Sequence, residues 1–167
     1  MPGKEPSFGP TASTVAANVK RLRSRQGLNF KELSAELKRV AGWDISAVGV
    51  RRIEEGSRRV TVDDLMALAV TLRSNPNALL LPPTDDGQHL VAVTGSPNQT
   101  GADAWKWARG EKPLPGALSF VPDSVPKGSR YTYAEADFQS NTVPAAQNWT
   151  DQPNIIVGPP AGNDGDD

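Results

Sequence analysis

Apolar residues recur at three- and four-residue intervals through the first half of the chain, and the rhythm fades in the second half. Val15, Val19 and Leu22 share one face of a helix predicted from Ser13 to Arg25, which Gly27 ends. Asn29 and Glu32 have the spacing of a capping box. A second helix therefore opens at Phe30, with Phe30, Leu33, Leu37 and Val40 as its apolar side and Gly42 as its break. Trp43 and Ile45 read as apolar anchors of the turn that follows. Ser46 suits an N-cap, and Gly56 suits a stop because glycine takes positive φ without a Cβ penalty. Between them lies a short third helix that turns Val50 and Ile53 inward and Ala47, Val48, Arg51 and Arg52 outward. Thr61 caps a fourth helix, whose Asp63 and Asp64 occupy the turn where the helix dipole favours acids. Its predicted buried stripe is Val62, Leu65, Met66, Ala69 and Leu72. Asn75 and Pro76 read as cap and first position of a fifth helix. Leu79, Leu80 and Leu81 close the core, and Pro82-Pro83 ends the unit.

The pattern thus predicts an all-α, five-helix domain over residues 13–83, preceded by a Pro/Gly/Ser/Thr-rich arm at 1–12 without regular structure. Residues 84–114 form a linker with a short extended segment at Leu90–Thr94 and a short helix at Ala102–Gly110 holding Trp105 and Trp107. From residue 115 to 167 prolines and glycines recur and the end is acidic, so this tail is expected to be mostly disordered. The 15 glycines and 15 prolines of the 167-residue chain support that division.

Charge sharpens it. Residues 1–81 carry 13 Lys/Arg and 8 Asp/Glu, a net of +5; residues 82–167 carry 5 and 11, a net of −6. The overall charge of −1 conceals a basic front and an acidic back. There is no cysteine, hence no disulfide framework or thiolate zinc site. No stretch reaches the ~18 apolar residues of a membrane span, and the N-terminus has no signal-peptide core. His89 is the only histidine and lies in the linker, so neither Ser–His catalysis nor a histidine metal site is expected, and no cofactor is implied. A self-cleaving Ser/Lys domain would need a β-rich second half, for which the tail has too few apolar residues.

The third helix, short, capped and carrying two adjacent arginines, suits insertion into a DNA groove. In order along the chain stand Leu22-Arg23, Gly27-Leu28, Asn29 with Leu33, Ile45-Ser46, Val50-x-x-Ile53-Glu54-Glu55-Gly56, Arg58-Arg59 and Leu65-x-x-Leu68-Ala69. This set resembles the Xre/lambda-repressor-like (Cro/C1-type) helix-turn-helix family. Val62-Asp63-Asp64-Leu65, Leu79 to Pro83, Ala104-Trp105-Lys106-Trp107 and Gly110 to Leu114 resemble its actinobacterial and actinobacteriophage subset. There are two departures. About six more residues than usual lie between Leu37 and Ile45, which predicts a longer second helix through Val40 and a looser turn at Ala41–Asp44. Phe30 stands where the family often has a phosphate-bracing Gln.

The resemblance implies an interhelical ion pair between Arg23 and Glu54. Ala47, Val48, Arg51 and Arg52 are the candidate base contacts: Arg can span guanine O6 and N7, while Ala and Val can meet a thymine methyl. Arg52 is the favourite, and a solvated face is the plainer alternative for both arginines. Ser46, Lys31, Arg39, Arg58 and Arg59 are phosphate candidates, each of which would steepen the salt dependence of binding. The implied partner is double-stranded DNA and the implied role a sequence-specific transcriptional regulator, a repressor such as a bacteriophage immunity repressor, in the bacterial cytoplasm or nucleoid. Such modules pair on half-sites about one helical turn apart, so a homodimer or paired binding is expected. The competing reading is an antitoxin-like regulator whose acidic, aromatic tail grips a protein partner.

Overall fold

The computed structural model describes residues 8–84, 86–96 and 98–142. The chain is predominantly helical. α1 spans Pro10–Arg25 and opens three residues earlier than its apolar pattern suggests. Pro10 lies in the first turn, where a missing N–H costs nothing, and the Gly9 carbonyl accepts from Ala12 and Ser13. The arm expected at 1–12 is therefore helical at Pro10–Ala12, and its first seven residues lie outside the described ones.

α2 spans Phe30–Ala41 and carries the complete capping box. Asn29 Oδ1 accepts from the Lys31 and Glu32 amides at 2.9 and 3.0 Å, and the Asn29 amide donates to Glu32 Oε2 at 2.7 Å. Gly42, at φ +61°, ends it. The Gly42 amide donates to the Lys38 carbonyl and the Trp43 amide reaches back six residues to that of Leu37, a wider closure than the usual helix end. The longer second helix and looser turn are thus both present.

α3 is Ala47–Glu54, α4 Val62–Thr71 and α5 Pro76–Leu80. Thr61 and Asp64 form a second capping box, and Asn75 Oδ1 caps α5 through the Ala78 amide. α1 packs on α3 and α5, α2 on α3 and α4, and α4 on α5. Their core holds Val15, Val19, Leu22, Leu33, Leu37, Ile45, Val50, Ile53, Leu68, Leu72 and Leu79. α4 keeps part of the predicted stripe, with Leu65, Ala69 and Leu72 packed on the core, and departs from the rest. Val62 and Met66 are exposed, and Asp64, Ala67, Leu68, Ala69 and Thr71 are buried. Six consecutive apolar residues, Leu65 to Val70, make periodicity a poor guide to its inner face.

A second apolar cluster lies beyond Pro83. β1, Leu90–Val91, pairs antiparallel with β2, Gln99–Thr100. α6, Gly101–Ala108, follows directly. Leu81, Val91, Val93 and Ala104 are buried there, with Trp105, Trp107 and Ala108 against them. The seam with the first cluster is polar and specific. Asn18, buried in α1, donates to the carbonyls of Leu79 and Leu81 at 3.0 and 2.8 Å. Trp105 Nε1 donates to the Pro82 carbonyl, Asn77 Nδ2 to that of Ala108, and Thr11 and Thr94 exchange two hydrogen bonds.

Residues 115–142, expected to be irregular, form a 3-10 turn at Pro115–Phe120 and α7 at Arg130–Thr142. Pro115 opens its turn rather than breaking an element. Arg130 ties the segment together by donating to the carbonyls of Leu118, Val121 and Pro122. The rest of the expected tail, 143–167, lies outside the described residues. Among the described residues no helix is long and apolar enough to cross a membrane.

Candidate functional site

α3 is anchored from behind along its whole length. Ser46 Oγ accepts from the Gly49 amide at 3.1 Å, capping the helix. Val50 and Ile53 are 0 and 1 % exposed. At the end of the helix Arg23 makes a bidentate pair with Glu54, Nε to Oε1 at 2.5 Å and Nη2 to Oε2 at 2.8 Å. Both side chains are largely buried, so the guanidinium needs further satisfaction. It finds this in the Leu28 carbonyl, 2.6 Å from Nη1, and in the Phe30 ring, whose centroid lies 4.4 Å away. Phe30 thus supports the guanidinium that holds α3.

A second brace enters from the other side. Asp64 is 3 % exposed. Its carboxylate accepts from Trp43 Nε1 at 2.8 Å, from the Thr61 amide at 3.2 Å and from Arg58 Nη2 at 3.2 Å. Burial alone would push the Asp64 carboxyl up; the indole N–H, the Thr61 amide and the Arg58 charge outweigh it and hold it below its ordinary value. Gly49 makes room for this. A Cβ there would stand 2.5 Å from Arg58 Nη1 and 3.0 Å from Ile45 Cγ2. The turn before α3, the loop after it and the first turn of α4 therefore meet on one buried carboxylate.

The outward side of α3 holds Ala47, Val48, Arg51 and Arg52, which at 100° per residue occupy one flank of the helix. Val48 is 59 % exposed. Arg51 is not free: it donates to Glu55 at 2.7 Å, an acid on the same flank. Arg52 is exposed, and among the described residues no hydrogen bond or ion pair engages its guanidinium. Its carbonyl accepts from the amides of Ser57 and Arg58 and from Ser57 Oγ, which folds the Gly56–Arg59 loop against the helix end.

The candidate phosphate residues divide. Lys31, at the start of α2, is exposed and unengaged among the described residues. Arg59 is exposed and stacks at 5.9 Å over Phe8. Arg39 is tied to Glu36 in a surface pair at 2.6 Å. Arg58 is half-buried and spent on Asp64. Ser46 is exposed and serves as cap. Sequence reasoning missed Gly49, Glu55 and the Trp43–Asp64–Arg58 cluster. Glu55 lies inside the quoted motif, four residues after Arg51, where the spacing itself signals a pair; Gly49 stands just before that motif, and only the folded loop gives it its role. Among the described residues no group of three or more His, Asp or Glu is placed to hold a metal ion.

No family model, curated protein or solved structure matches the chain.

Proposed function

We propose that this chain is a sequence-specific DNA-binding transcriptional regulator of the helix-turn-helix kind, a repressor, with α3 entering the major groove. The observation that carries the reading is the division of α3. One flank is fastened by a cap, two buried aliphatic residues and a bidentate ion pair. The other presents Ala47, Val48, Arg51 and Arg52 to solvent. A helix held this firmly while displaying apolar and cationic groups suits direct readout of base edges, for which Arg52 is the available guanine reader. Lys31 and Arg59 supply cations at either end of the α2–α3 unit, where backbone phosphates would lie.

The test is an anisotropy titration of the full chain on operators selected from random sequence. Arg52→Ala is expected to weaken the selected site by about ten-fold or more and to relax preference at one base pair. Lys31→Ala is expected to weaken all sequences alike and flatten the salt slope by about one phosphate. No selected sequence, or no loss with Arg52→Ala and Arg51→Ala combined, overturns the assignment.

The exposed Phe120, Tyr131 and Tyr133 support a second reading, an antitoxin-like regulator that grips a protein partner through its C-terminal part. The same titration and a partner-capture assay, each comparing the full chain with one lacking residues 115–167, separate the two. Retained DNA affinity supports the first, and loss of a captured partner supports the second.

A further inference from the structure

The outward side of α4 is apolar along its length. Val62, Met66 and Val70 are 77, 48 and 55 % exposed, and at four-residue spacing they form a single row. Val40, at the end of α2, is also exposed and lines a surface groove of about 440 Å³ together with Val70 and Arg73. The charged residues beside Val40, Glu36 and Arg39, neutralise each other. A contiguous apolar row of this kind on the surface marks an interaction site.

The ends of the row carry opposite charges. Asp63 stands at the first turn of α4 and Arg73 just beyond its last. Both are exposed, and among the described residues neither side chain makes a hydrogen bond or an ion pair within 4 Å. Arg73 is also the only non-glycine residue described with positive φ, at +51°. An arginine there carries backbone strain that glycine or asparagine would relieve.

We propose that this row is the docking surface for a second copy of the chain, α4 lying antiparallel on the partner's α4. A two-fold axis passing beside Leu68 sets Met66 against the partner's Val70 and Asp63 against the partner's Arg73, with both contacts repeated by symmetry. Parallel pairing would instead oppose Asp63 to Asp63. The antiparallel arrangement is isologous and closes at two copies. One helix face with Val40 buries less than the roughly 1,200–2,000 Å² of a standard interface, so the dimer is a micromolar one. This docking surface does not depend on DNA binding, and its test is made without DNA.

Sedimentation of the full chain is expected to move from the 17.8 kDa monomer towards twice that mass. The rise falls between about 1 and 300 µM. Met66→Glu, at an exposed position, keeps the helical circular dichroism spectrum and raises the dissociation constant by about ten-fold or more; Val70→Lys does the same by a second route. Asp63→Arg alone and Arg73→Asp alone are each expected to remain monomeric, because every cross-interface pair becomes like-charged. An equimolar mixture of the two restores both pairs and returns to dimer mass. A wild-type chain that stays monomeric throughout, or a dimer indifferent to Met66→Glu, overturns the surface. A mixture that stays monomeric while the wild type dimerises overturns the antiparallel register. Arg52→Ala is expected to leave the mass curve unchanged, which separates this proposal from the DNA-binding one.

Discussion

Arg23 and Glu54 illustrate how one side-chain pair sets the position of a helix. Two charges drawn largely out of water gain little net stability, but removing one strands the other. Glu54→Gln is expected to destabilise the chain by about 3 kcal/mol in urea denaturation. Replacing both partners with apolar residues of similar size costs less than the two single changes together, because no buried charge is left unpaired. Gly49 is a second case. A glycine inside a helix ordinarily reads as a weak point, costing roughly 1 kcal/mol against alanine. Here it leaves the space that Arg58 Nη1 occupies. The pairing of Arg23 with Glu54 was legible by resemblance, since both stand in the motif. The place of Gly49 was not, because the guanidinium that fills the space beside it arrives nine residues later along a folded loop.

At the scale of elements, the angle of α3 depends on Asp64. The long turn after α2 is pinned by Trp43 Nε1 and the loop after α3 by Arg58, and both bonds end on this carboxylate. Its pKa lies below the ordinary value, so folding favours the ionised form. The stability this contributes is complete above the unfolded value of about 3.9 and is lost as pH falls through the lower folded one. Thermal denaturation at neutral pH and near pH 3 checks this. Asp64→Asn is expected to destabilise the chain by about 1–2 kcal/mol at neutral pH, because Arg58 loses its counter-charge while remaining half solvated. The same variant flattens the acid limb of the stability profile. A variant whose acid limb matches the wild type would show that another carboxylate dominates. Asp64 stood out in the sequence only as a first-turn acid. Its burial follows from the rotation of α4, which a run of six apolar residues leaves open.

For the whole molecule, the two apolar clusters share a seam rather than a linker. Leu81 is 1 % exposed and belongs to the second cluster, although it closes the five-helix segment in sequence. Asn18 holds the carbonyls of Leu79 and Leu81, and Trp105 reaches the Pro82 carbonyl. A chain ended after Pro83 therefore uncovers Leu81 and loses the Thr11–Thr94 contact. It is expected to be less stable than one ended after Thr142 by about 2 kcal/mol, the cost of exposing one buried leucine. Comparing their thermal midpoints measures the difference, and equal midpoints would show that the second cluster adds nothing to the first.

Local chemistry wrote the first five helices into the sequence. Asn29 with Glu32, Ser46, Thr61 and Asn75 cap amides within three residues, and Gly27, Gly42 and Gly56 adopt positive φ wherever the chain goes next. Such signals need no tertiary partner, so the positions of α2 to α5 could be read to within a residue or two. Tertiary structure alone decided which side of α4 faces inward, that Arg58 is spent on Asp64, and that the described residues beyond Pro83 fold back onto α1 and α5. Each of these turns on which of several chemically equivalent partners comes within reach. A carboxylate accepts from any nearby guanidinium and an apolar face from any other, so the choice belongs to the packing of distant segments.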